Sequence, residues 1–246
     1  MNPPRLTMSR PTRRSDVPGR PVRRPRGARG PWQFGPIPVI GLVGGIGAGK
    51  SLAAAALAAR GAFVIDADTV GHALLEQPPA RQRILKRFGE EILGPEPGDG
   101  SPRPIDRRAL GAIVFDDPSA RRDLERILHP RMRRTFERAI ARTVRKGRHT
   151  AVVLDAAVLF EAGWDDLCDV VFFVDAPREL RLRRLAAARG WTAEALAARE
   201  AAQHPLDEKK ARADAVLPNT GPPEDLAAAV DRAWVRHIGR LRPVRD

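Results

Sequence analysis

Directly after the apolar run Ile37 to Val43 stand Gly44-Gly45-Ile46-Gly47-Ala48-Gly49-Lys50-Ser51. The pattern G-x-x-x-x-G-K-[ST] suits a polyphosphate, because glycines permit positive φ and leave no Cβ in the way, so that successive backbone N–H groups converge on it. Lys50 then reaches the β- and γ-phosphates, and the Ser51 hydroxyl is a ligand for Mg²⁺. The nucleotide-binding stretch is expected to comprise Gly45, Ile46, Gly47, Ala48, Gly49, Lys50, Ser51 and Leu52. From Leu52 to Arg60 an Ala-rich segment, stopped by Gly61, supplies a helix whose positive N-terminal end faces the same phosphates. The competing reading is a chance Gly-rich turn that merely links a strand to a helix. Lysine usage points the same way. Of 43 Lys plus Arg, only Lys50, Lys86, Lys146, Lys209 and Lys210 are lysine, so an Arg-rich chain carries lysine where a compact charge on a flexible stem binds phosphate.

Carboxylates come next. The segment Val64-Ile65-Asp66-Ala67-Asp68 ends a second apolar run, at the sheet edge where ligands of such folds bind. Phosphoryl transfer asks for positioning and charge neutralisation, so one carboxylate with Lys50, Mg²⁺ and an arginine is a sufficient set. Asp68 is the candidate to orient or deprotonate an acceptor hydroxyl, with helix capping the competing role for either aspartate. Asp155, after the run Ala151 to Leu154, is a second candidate of Walker-B type. His72 and His129 read as structural, and no metal-ligand spacing is present.

The elements that must hold these residues follow from hydrophobic pattern. Apolar runs at Ile37 to Val43, Ala62 to Ile65, Ala151 to Leu154, Val170 to Val174 and Asp214 to Leu217 suit strands buried on both faces. Helical patterns between them predict an α/β fold with a parallel sheet and crossover helices. Two insertions interrupt this order. In the first, between Asp68 and Arg148, Pro118 opens one helix, His129-Pro130 breaks it and Gly147 ends the next, while Glu91 to Pro104 reads as a surface loop. In the second, a cationic helix with Arg181, Arg183, Arg184 and Arg189 runs from Arg178 to Gly190, and another from the N-cap Thr192 onward to Pro205. Beside a phosphate loop, such a helical pair reads as a lid. A final helix from Glu224 to Ile238 presents Leu226, Val230, Trp234 and Ile238 to the sheet.

Composition sets the outer limits. A chain of 246 residues that is 43% hydrophobic buries one core with at most a small subdomain. No run is long enough for a bilayer or resembles a signal peptide, and Cys168 is the only cysteine, so a reducing, cytoplasmic setting is expected. The net charge of +13 suggests nucleic acid at first sight, yet residues 1–36 hold nine Arg against Asp16 alone, which places +8 in one Pro/Gly/Arg-rich stretch expected to be a disordered tail. Few aromatics and no basic-aromatic stripe beyond that tail make nucleic acid an unfavoured partner.

The same residues resemble the dephospho-CoA kinase family from Ile37 to about Ile238. The resemblance rests on the phosphate loop, Val64-Ile65-Asp66-Ala67-Asp68 with His72, Leu128-His129-Pro130, Leu159-Phe160-Glu161, Gln203 with Lys209, and Ala213-Asp214 leading to Asn219 and Gly221. It implies a P-loop kinase fold that uses ATP and Mg²⁺ to phosphorylate the ribose 3′-hydroxyl of dephospho-CoA, the final step of CoA biosynthesis. It further implies a kinase domain over 37–238, a helical acceptor insertion over about 69–147, a lid over about 178–210 and a C-terminal tail at 239–246, with a monomer favoured. By the same likeness Asp68 matches the catalytic aspartate and Arg184 the lid arginine, while Asn219 and Gly221 match the loop near the adenine. Four departures from the family pattern stand out. Leu52 replaces Thr, Ala157-Val158 replaces Pro-Leu, Pro218 replaces Asp, and Arg189 stands one residue beyond the usual second lid arginine, at the place held by Ala188. A kinase of another small nucleotide or sugar, and a nucleic-acid-associated ATPase, are the competing readings.

Overall fold

The computed structural model describes residues 32–239. Five strands, β1 (Val39–Gly44), β2 (Phe63–Asp66), β3 (Val152–Asp155), β4 (Val170–Asp175) and β5 (Ala215–Pro218), form one sheet in the order β2-β3-β1-β4-β5. Every adjacent pair is parallel. Each strand lies within about two residues of an expected run, because all three inner strands are buried on both faces and their continuous apolar sequences leave no other placement.

The helices are α1 (Lys50–Ala59), α2 (Ala67–Leu75), α3 (Pro78–Phe88), α4 (Arg107–Asp116), α5 (Pro118–Lys146), α6 (Arg178–Arg189), α7 (Ala193–Glu200), α8 (Leu206–Ala211) and α9 (Pro223–His237). Two cores sandwich the sheet. On one face Ile40, Leu42, Val153, Phe172 and Val174 pack with Leu57 of α1 and Leu226, Val230 and Trp234 of α9. On the other, Val39, Val43, Leu154 and Phe173 pack with Ile84 of α3 and Phe136 and Ile140 of α5. The expected α/β fold with a parallel sheet and crossover helices is the observed one, in three layers.

Three expectations need correction. His129-Pro130 does not break the helix: α5 runs unbroken from Pro118 to Lys146 with Pro130 inside it. Proline removes one backbone donor there, but Leu128 and Met132 on either side stay buried in the core, and Arg131 Nη1 donates to the Ile127 carbonyl at 2.9 Å. The helix that Thr192 caps ends at Glu200 rather than near Pro205, and the short α8 follows it. At the inner end of the expected tail, Gln33 and Phe34 are held by the body of the protein. Gln33 N–H donates to Asp169 Oδ1 at 2.7 Å, its side chain reaches the Asp166 carbonyl at 2.9 Å, and Phe34 packs on the core. The remainder of the expected tail, and residues 240–246, lie outside the described residues.

Candidate active site

The centre of the sheet delivers the phosphate loop. β1 is paired on both sides, by β3 and β4, so its carboxyl end at Gly44 is fixed and the loop 44–49 starts from a rigid base. Lys50 opens α1, and Ser51 stands exposed in its first turn. Gly49 sits at φ 95°, and a Cβ there would lie 2.2 Å from Asn219 Nδ2, so only glycine serves. That approach reflects a clamp. Asn219, 3% exposed at the end of β5, donates Nδ2 to the Ala48 carbonyl at 2.7 Å, while its own N–H donates to the Asp175 carbonyl. Asn219 therefore holds the phosphate loop from behind. Gly221 lies two residues further on, against Asp225 at the start of α9.

Neighbouring strands bring the carboxylates to the same edge. Asp66 and Asp155 are register partners at the ends of β2 and β3, and Leu42 of β1 pairs with Asp155. Asp66 takes the capping role, accepting the Thr69 N–H at 2.9 Å, which leaves Asp68 exposed in the first turn of α2. Burial pushes the Asp155 carboxyl above its ordinary range; the Lys50 ammonium opposes that, and the charges of Asp66 and Asp68 add to it. Lys50, Asp66 and Asp68 thus all act electrostatically on Asp155. Lys50, at the end of the segment expected from Gly45 to Leu52, and Asp68 both lie close enough to Asp155 to act on its charge.

From the opposite side comes α6. Arg184 Nη2 donates to the Asn219 carbonyl at 3.2 Å and to its Oδ1 at 3.4 Å, and Nη1 lies buried 3.9 Å from the position of a Cβ on Gly49, with no protein acceptor. Arg189 is exposed and packs 5.6 Å over the Trp191 ring. The structure brings Arg184 to the phosphate loop and leaves Arg189 away from it. One residue that sequence reasoning treated only as part of a cationic helix proves central. Arg181, 3% exposed, donates Nε to the Ala176 carbonyl at 3.1 Å and Nη1 to the Ile46 carbonyl at 3.2 Å, and it is ion-paired with Glu200 of α7. Its position one turn before Leu185, on the buried face of α6, is the signal that could have found it.

The geometry sets a glycine-rich loop at the end of β1 beside carboxylates of β2, β3 and α2 and an arginine of α6. A family model described as dephospho-CoA kinase matches residues 38–225. The chain belongs to the dephospho-CoA kinase family. A dephospho-CoA kinase of Anaeromyxobacter dehalogenans is 47% identical over 195 residues, covering 79% of this chain and 89% of the relative. That of Geobacter sulfurreducens is 42% identical over 81% of this chain and 98% of its own length. Among solved structures, the dephospho-CoA kinase from Campylobacter jejuni superposes with a TM-score of 0.58 at 26% identity, over 82% of this chain and 96% of its own. Membership of the family carries its kinase activity on dephospho-CoA to this chain, with ATP as the phosphoryl donor that a kinase uses.

Proposed function

We propose that the reaction is transfer of the ATP γ-phosphoryl group to the ribose 3′-hydroxyl of dephospho-CoA, with Lys50, Asp68 and Arg184 as the catalytic residues. The observation that supports it most directly is the convergence of three elements on one sheet edge. Lys50 at the start of α1 neutralises charge on the β- and γ-phosphates held by the N–H groups of the loop from Gly45 to Leu52. Asp68, exposed in the first turn of α2 and not engaged in capping, orients the acceptor hydroxyl and takes its proton. Arg184, with Nη1 turned toward the phosphate loop, stabilises charge on the transferring group. Asn219 holds the loop in shape through the Ala48 carbonyl.

The donor set fits Mg²⁺. The Ser51 hydroxyl and the Asp155 carboxylate, which the Lys50 charge reaches, offer hard oxygen ligands. Among the described residues no group of three or more acidic, His or Cys side chains forms a cage, which suits an ion that retains water and is held largely by substrate phosphates. When bound, the ion neutralises developing phosphate charge. The helical insertion 69–147 and the segment 178–210 serve as acceptor domain and lid. Among the described residues no helix is long and apolar enough to cross a membrane.

Purified protein given ATP, Mg²⁺ and dephospho-CoA is expected to form CoA, and Lys50→Ala to abolish it. Turnover of another acceptor with none of dephospho-CoA would overturn the reading. Asp68→Asn is expected to lower kcat with the Kd for ATP little changed; near-normal kcat would return Asp68 to a helix-start role.

A further inference from the structure

Lys209 is the largest charged side chain that is wholly buried: it is 0% exposed, on α8 at the far end of the lid segment. Burying an ammonium is costly unless every proton finds an acceptor. Here all three do. Nζ donates to the Ala157 carbonyl at 2.8 Å and to Gln203 Oε1 at 3.0 Å, and it is ion-paired with Glu161 Oε1 at 2.6 Å. Glu161 Oε1 also accepts the His204 N–H at 2.9 Å. Burial pushes the Lys209 ammonium below its ordinary range, with the Glu161 carboxylate opposing that push and the Lys50 charge adding to it. The cluster is close enough to the phosphate loop to feel its lysine.

Its acceptors belong to two different parts of the molecule. Ala157 and Glu161 lie on the loop that leaves β3 at Asp155, whose first N–H, on Ala156, donates to the Leu42 carbonyl of β1. Gln203 and His204 follow α7, whose last residue, Glu200, holds Arg181 against the Ile46 carbonyl. A small cavity of about 210 Å³ lined by Ile46, Arg181, Glu200, Gln203 and Leu206 lies between the second set and the phosphate loop. Polar contacts therefore run from Ile46 through Arg181, Glu200 and the 201–204 turn to Lys209, and from Lys209 to the loop beside Asp155. We propose that Lys209 is a positioning residue for the phosphoryl transfer proposed above, fixing the lid segment in register with the loop that follows Asp155 so that the donor and acceptor sides of the site meet.

This rests on the kinase reading, so wild-type CoA formation is the control whose failure would indict that reading rather than the cluster. The test is a comparison of Lys209→Met, Lys209→Met/Glu161→Gln and Gln203→Leu. Removing one partner strands a buried charge, whereas removing both charges relieves it, so thermal stability lost in the single Lys209 variant is expected to return in the double variant. Turnover is not expected to return with it: kcat/KM for dephospho-CoA stays down by about tenfold or more, while the Kd for ATP, measured by direct binding, remains within about threefold of wild type. If Lys209→Met fails to fold, the double variant decides by the same two readouts. If that also fails, Gln203→Leu decides, since it keeps both charges and removes one neutral contact from a partly exposed residue. It is expected to lower the melting temperature modestly, by the one stranded proton, and to lower kcat/KM well below the midpoint of unfolding with the Kd for ATP within about threefold of wild type; unchanged kcat/KM there would overturn the proposal. Turnover that recovers together with stability, or that falls only in step with ATP affinity, would reduce the cluster to a stabilising ion pair and overturn the proposal.

Discussion

Two arginines on one helix separate structural from chemical use of the same side chain. Arg181 spends its donors on the Ala176 and Ile46 carbonyls and on Glu200, so its charge is consumed by the protein. Arg184 keeps one buried nitrogen without a protein acceptor beside the phosphate loop, a cost of about 1–3 kcal/mol that a phosphate oxygen would remove. Arg184→Ala is accordingly expected to lower kcat/KM at least about tenfold, roughly 1.4 kcal/mol, and Arg189→Ala clearly less. Steady-state kinetics of the two variants measure this, and a larger loss at Arg189 would reverse the assignment. Positions five apart on a helix are rotated by about 140°, so only one of the pair faces the phosphates, and the sequence alone did not say which. Nor did it show that Asn219 turns its amide toward Ala48, since a buried clamp and a loop near the adenine look alike in a string of residues.

At the scale of elements, α5 shows both what pattern reading reaches and where it stops. Its ends were legible from Pro118 and Gly147, whereas Pro130 in the middle reads as a break because its local cost is visible and its packing is not. Leu128, Met132, Phe136 and Ile140 outweigh one missing donor, and that sum depends on a sheet the helix has yet to meet. His129, beside the proline, sets its ring 4.9 Å from Trp164, and burial pushes its pKa below the ordinary 6.5. The unfolded chain then binds the proton more readily than the native one, so stability rises with pH across the interval up to about 6.5 and falls as pH drops through it. Thermal melts between about pH 5 and 7 should show this slope, and His129→Gln should flatten it in part, with His237, shifted the same way, supplying the rest. A slope unchanged in His129→Gln would contradict the assignment. The strands were the most legible part, since burial on both faces writes unbroken Val, Ile and Leu runs.

For the whole molecule, the boundary between body and tail is a measurable one. Removing residues 1–31 deletes none of the contacts described above, and activity and melting temperature are expected to stay near wild type. Removing 1–36 takes away Gln33 and Phe34, which tie the chain start to Asp169 and the core, and a lower melting temperature is expected. Equal melting temperatures for the two truncations would show that the short segment contributes nothing. The strand order carries a further consequence, for the birth of the protein rather than its finished state. β1 is made first among the strands and stands at the centre, yet its two neighbours, β3 and β4, begin at residues 152 and 170. Until well over a hundred further residues have left the ribosome, its apolar edges have nothing to pair with. In that interval α2 to α5, which pack on one another, are translated complete. The phosphate loop is thus translated among the first parts of the fold, while Asn219, the residue that clamps it from behind, is among the last.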